Sequence, residues 1–164
     1  MRAPRGAGNR RQMTVPEPTV PFFGKVVHHA GDIVSVLAPV MENLEVEEFH
    51  ILLLDARHRV RHHEMVARGS LTGVEVHPRE VFCTAVRQRA AMLVVSHNHP
   101  SGDPSPSPAD IAITERLLAA GRLLGIPVCD HVIIAKGSHF SFFDRGLIGF
   151  ARAEPADADL PGVG

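Results

Sequence analysis

Apolar residues along this chain switch between helical spacing and short unbroken runs, and each switch marks an element. Ile33, Val34, Leu37, Val40 and Met41 follow Gly31-Asp32 at i, i+3, i+4, i+7 spacing, which predicts an amphipathic helix over about Asp32–Glu42. Glu48 to Asp55 is an apolar run bounded by charge, too short for a helix, and predicts a buried strand; a second strand is expected at about Val60–Ala67. Arg68–Val76, with Gly69, Ser70, Thr72 and Gly73, reads as a loop or irregular strand. Pro78 suits a first helical position, where its missing N–H is not needed, and Val81, Phe82, Ala85 and Val86 carry that helix to near Arg89. Ala91–Ser96 is apolar on both faces, as a central strand covered on each side requires.

The second half continues the alternation. A loop dense in Pro, Ser, Gly and Asp (Pro100–Ser107) leads into a long helix marked by Ile111, Leu117, Leu118, Leu123 and Leu124 and closed by Gly125. Pro127–Ala135 is a strand, Lys136-Gly137 a turn, and Ser138–Phe142 the hairpin partner. The order α β β α β α β β predicts a three-layer α/β domain on a mixed sheet. It occupies residues 23–150, with residues 1–22 and 151–164, rich in Gly, Pro and charge, expected as a disordered tail and a flexible tail.

Composition narrows the chemistry. Seventeen basic and eighteen acidic residues in 164 give a formal charge of −1, so no long basic stripe offers itself to phosphates, although Arg2, Arg5, Arg10 and Arg11 cluster at the start. No apolar stretch approaches the ~18 residues of a membrane span, and no secretory leader is evident, so a cytoplasmic protein without membrane partners is expected. Cys83 and Cys129 are the only cysteines and both fall on positions read as core. A Cys-rich zinc site and a disulfide scaffold are thereby excluded. Histidine, by contrast, occurs eleven times.

The informative stretch is Ser96-His97-Asn98-His99-Pro100, followed by Ser107-Pro108-Ala109-Asp110. Two histidines at i, i+2 project to the same side of an extended chain, so both imidazoles can converge on one ion past the end of a buried strand. Asp110 falls in the first turn of the next helix and can fold back to the same point. Two nitrogens and one oxygen leave a fourth position open, the pattern of a catalytic zinc rather than a structural one. Ser107-x-x-Asp110 with Pro108 also reads as a helix-capping box, and the two roles are compatible. Asp103 in the loop is a weaker rival ligand. Of the other histidines, His28-His29, His58, His62-His63, His77, His131 and His139 show no close metal spacing and read as surface or satisfied residues; His131, beside Asp130, is the one to follow.

These residues resemble the JAMM motif of JAB/MPN-type zinc metallopeptidases, and His97-Asn-His-Pro-Ser-Gly-Asp-Pro-Ser-Pro-Ser107 resembles the bacterial RadC group in particular. The likeness runs from about Val46 to Ile148 and includes Val76-His77-Pro78-Arg79-Glu80-Val81-Phe82, Asp130-His131-Val132-Ile133 and Arg145-Gly146-Leu147-Ile148. It implies a cytidine-deaminase-like α/β fold and one Zn2+ held by His97, His99 and Asp110. It further implies that Ser107 orients the metal-bound water or stabilises the oxyanion, and that a glutamate on an early strand is the base. Glu48, opening the first apolar strand, fits that place best; Glu47 points to the other face, and Glu64 on the next strand is the reserve. Asp130 and backbone carbonyls are the expected partners for the ligand imidazoles, Asp130 reading equally as a strand-end carboxylate.

The implied activity is hydrolysis of an amide or isopeptide bond in a protein or peptide substrate. A contiguous His-Asn-His does not suit a nuclease of that name, and the Pro-Cys-x-x-Cys of zinc deaminases is absent. Long RadC-type chains carry a helix-hairpin-helix domain suggestive of DNA association, and the short stretch before the core here is expected to lack it. A DNA-repair-associated or nucleic-acid-binding role without peptidase activity is the alternative.

Overall fold

The computed structural model describes residues 22–69 and 75–148. Residues 1–21 and 151–164 of the expected tails and part of the Arg68–Val76 loop therefore lie outside the described residues, whereas Phe22, expected in the first tail, packs against the core. The elements are α1 (Ala30–Met41), β1 (Glu48–Leu54), β2 (Val60–Arg68), α2 (Pro78–Arg87), β3 (Met92–Asn98), α3 (Pro108–Leu124), β4 (Val128–Ala135) and β5 (Ser138–Ser141), in the order that the apolar pattern predicts.

One five-stranded sheet, ordered β2-β1-β3-β4-β5, forms the middle layer. Only β3 and β4 run parallel, and α3 makes the crossover between them; the other neighbours are antiparallel. This is the mixed α/β sheet expected of a JAB/MPN domain. Strand parity sorts the core onto its two faces. Phe49, Ile51 and Leu53 of β1 join Leu93 and Val95 of β3 against α2 and α3, while Leu52, Leu54, Val94, Val132 and Ile134 face α1.

Local chemistry sets the helix ends. His29 caps α1, its Nδ1 accepting the Asp32 N–H, and Asp32 accepts the N–H groups of His28 and His29 in return. His77 caps α2 ahead of Pro78. Gly125 closes α3 with φ of 67°, a left-handed conformation that costs glycine little. Inside α3, Gly121 permits close packing, since a Cβ there would stand 2.7 Å from the Ile126 carbonyl oxygen.

Several expected core positions lie at the surface. Cys83 and Val86 are exposed because α2 buries the stripe Val81, Phe82 and Ala85. Cys129 is only partly buried. Leu123, Leu124 and Ile111 of α3 are exposed too, its buried line being Thr114, Leu117 and Gly121. No helix among the described residues is long and apolar enough to cross a membrane.

Candidate metal centre

Strand β3 is apolar through Val95, then delivers His97 at its carboxyl end on the face that carries α2 and α3. His97 is buried and stacks on Phe49, ring centroids 5.9 Å apart and planes 12° from parallel. His99 follows two residues later, with its Nε2 3.0 Å from that of His97. Asp110, in the first turn of α3, brings Oδ1 to 3.1 Å from His97 Nε2 and Oδ2 to 3.3 Å from His99 Nε2. Among the described residues these three form the group able to hold a metal ion.

The separations fit an ion at the centre. Bonds of about 2.0–2.1 Å in a tetrahedral arrangement place neighbouring ligand atoms about 3.3 Å apart, which is the spacing seen between these nitrogens and oxygens. The nitrogens facing away from the group are both engaged. His99 Nδ1 lies 2.7 Å from the Asp103 carbonyl, to which it can donate a proton, and His97 Nδ1 lies 2.8 Å from His131 Nε2. Such outer contacts fix ring orientation and leave Nε2 to the ion.

Asp110 is held from a second side. Ser107 Oγ accepts the Asp110 N–H at 3.1 Å, and Asp110 Oδ2 accepts the Ser107 N–H at 2.7 Å, a reciprocal capping box at the start of α3. Burial pushes the Asp110 carboxyl up, but hydrogen bonds from His97 and His99 outweigh it and hold the group well below the ordinary carboxylate range. The same contact with Asp110 raises His99 against its burial, with the Asp103 carbonyl and the charge of Glu47 adding to the effect.

The glutamates separate by strand parity. Glu48 lies on the face away from His97, its Oε2 2.9 Å from His50 Nε2 and its Oε1 3.5 Å from Arg68 Nε. His50 Nδ1 in turn meets His63 Nε2 at 2.8 Å. The structure thus does not bring Glu48 to the metal group. Glu47 continues the odd-numbered side of β1 shared with Phe49, and the ladder extends to it, because its carbonyl accepts the Gly69 N–H at 2.8 Å. Glu64 pairs with His62 at 3.1 Å and is half-buried, and Glu45 is exposed.

Other expectations change. The Asp130 carboxylate binds Ser141 Oγ at 2.6 Å and the Phe143 N–H at 3.0 Å, on the sheet face opposite His131, so it orients neither ligand imidazole. Asp103 serves through its backbone carbonyl, while its carboxylate accepts the Ser105 N–H. Asn98, between the two ligand histidines, accepts the Glu48 N–H at 2.8 Å and donates to the Val46 carbonyl at 3.0 Å. It pins the chain on both sides of Glu47, a function no local spacing reveals. A cleft of about 240 Å³ opens beside Asp110, bounded by Phe49, Glu75, Val76, Ile113 and Arg116.

The sequence profile of the RadC-like JAB domain matches residues 27–147, a span that includes the whole metal group. The chain belongs to the RadC-like JAB domain family. It is 49% identical over 116 residues to a UPF0758 protein of Symbiobacterium thermophilum, covering 71% of this chain and 50% of the relative. It is 52% identical over 102 residues to a UPF0758 protein of Pelobacter propionicus (62% and 44% covered), and 45% identical over 124 residues to one of Chloroflexus aggregans (76% and 54% covered). The chain thus spans about half the length of these curated relatives. The family carries the JAB fold, and within it His97, His99 and Asp110 are the residues that could hold a metal ion.

Proposed function

We propose that this RadC-like domain is a zinc-dependent hydrolase of amide or isopeptide bonds in a protein or peptide substrate. The observation that carries the reading is the mutual 3.0–3.3 Å spacing of His97 Nε2, His99 Nε2 and an Asp110 carboxylate, with each imidazole engaged through its other nitrogen. A zinc ion in an N, N, O site of this kind supplies Lewis acidity and brings a coordinated water to a pKa of about 7.

The remaining work falls to the chain. Glu47 is the base that takes the proton of the attacking water and returns it to the leaving amine nitrogen. Support for it over Glu48 is its place on the Phe49 side of β1 and the electrostatic effect of its charge on His99. Ser107 Oγ accepts a backbone N–H, and its own proton remains the donor for a substrate oxygen that gains charge. The cleft beside Asp110, with Phe49, Val76 and Ile113 on its walls, receives a substrate side chain. We place the activity in the cytoplasm, a reading supported by two cysteines that are both free thiols.

Metal analysis of the purified protein, together with hydrolysis of a mixed peptide library, tests the proposal. Wild type should carry about one zinc per chain and cleave peptides, cleavage should stop with a chelator and return with zinc, and His97→Ala should lack both properties. Equal zinc in the two proteins, or cleavage indifferent to chelator, would sink it.

A further inference from the structure

Beyond the metal group, the contact of His97 with His131 continues into a buried polar circuit. His131 of β4 is fully buried, stacked on Phe142 with centroids 4.9 Å apart and planes 9° from parallel, and set edge-on to Phe49. A polar ring in so apolar a place must have both nitrogens satisfied. Its Nε2 lies 2.8 Å from His97 Nδ1, and its Nδ1 lies 2.6 Å from Thr114 Oγ1. Thr114 Oγ1 donates to the Asp110 carbonyl at 2.6 Å, one helical turn back.

Each proton in this path has one consistent place. With His97 Nε2 turned to the metal group, His97 Nδ1 carries hydrogen and donates to His131 Nε2. His131 is then the Nδ1–H tautomer and donates to Thr114, whose own hydroxyl proton goes to the Asp110 carbonyl. The path leaves one metal-group residue on β3, crosses β4, and returns to the residue that supplies the carboxylate on α3.

We propose that His131 and Thr114 are positioning residues that lock the His97 ring and the first turn of α3 into one metal-binding geometry. The inference rests on the metal-site reading above and is independent of whether peptides are the substrate. Without the circuit, His97 could rotate about its terminal torsion and Asp110 could follow the fraying of its helix, so the protein would bind the ion less tightly while remaining folded.

The test is competition titration of zinc against a chromophoric chelator, with the cobalt-substituted visible spectrum as a second readout and thermal melting as the check on folding. Thr114→Val removes the hydroxyl, His131→Leu removes both hydrogen bonds but keeps an apolar core, and His131→Gln restores an acceptor and a donor. Thr114→Val and His131→Leu should each lose about 10–100-fold in zinc affinity and alter the cobalt spectrum, with His131→Gln recovering part of the loss. Wild-type affinity in a folded Thr114→Val or His131→Leu protein would overturn the positioning role alone. Absence of zinc binding by wild type would overturn it together with the metal-site reading. Should His131→Leu not fold, Thr114→Val decides the matter.

Discussion

Phe49 and His97 face each other across the β1–β3 ladder with nearly parallel rings, and this pairing determines which side of β1 looks toward the metal group. Glu47→Gln should therefore lower kcat for peptide cleavage by about 10²–10⁴-fold and leave zinc content unchanged. Glu48→Gln should leave turnover close to wild type, since its carboxylate serves His50 and Arg68. Steady-state kinetics alongside metal analysis of both variants checks the assignment; the reverse pattern would return the base to Glu48.

Metal removal should loosen the protein without unfolding it. The two imidazoles and the carboxylate are already held by Asp103, His131 and Ser107 before any ion is bound. Chelator-treated protein should keep its circular dichroism spectrum, and zinc at 100 times its Kd should stabilise it by about 2.7 kcal/mol. Loss of the spectrum on chelation would show that the ion builds the fold.

Acid should weaken the domain through the opposite face of the sheet. Burial, with the charges of His50 and His62, lowers His63 to about 4, and burial lowers His50 as well. Between pH 6.5 and about 4 the unfolded chain takes up protons that the native state refuses, so stability is full above 6.5, falls with pH, and levels off below about 4. Melting temperatures of wild type and His63→Asn across this range measure the effect. The variant should show a shallower decline, and identical curves would contradict the assignment.

Gly121→Ala should destabilise the domain by about 1–3 kcal/mol despite alanine's better helix propensity, because the new methyl meets a backbone oxygen at 2.7 Å rather than a movable side chain. Urea denaturation of the two proteins gives the difference. An unchanged midpoint would mean that α3 and the Ile126 turn can move apart freely.

Much of the architecture was legible because its boundaries are set locally. Pro78, Pro108 and Gly125 mark helix ends that follow from their own backbone geometry, and the apolar runs of β1 and β3 have to be covered on both sides. The His97, His99 and Asp110 group was legible for a similar reason, since i, i+2 geometry and a cap three residues into a helix need little long-range information. The orientation of β1 was not, because alternation states that Glu47 and Glu48 oppose each other but only the pairing of Phe49 with His97 says which is which. Thr114 was hidden for another reason. A threonine four residues beyond Asp110 looks like an ordinary helical position until β4 places His131 against it.

The reciprocal bond between Ser107 and Asp110 gives that carboxylate an occupation independent of any reaction. A related chain with no reaction to perform would still lose helix stability by discarding Asp110, so selection for folding alone suffices to preserve it. Its persistence in a related chain is accordingly poor testimony to activity. The more telling position is His99, whose contact with the Asp103 carbonyl starts no helix.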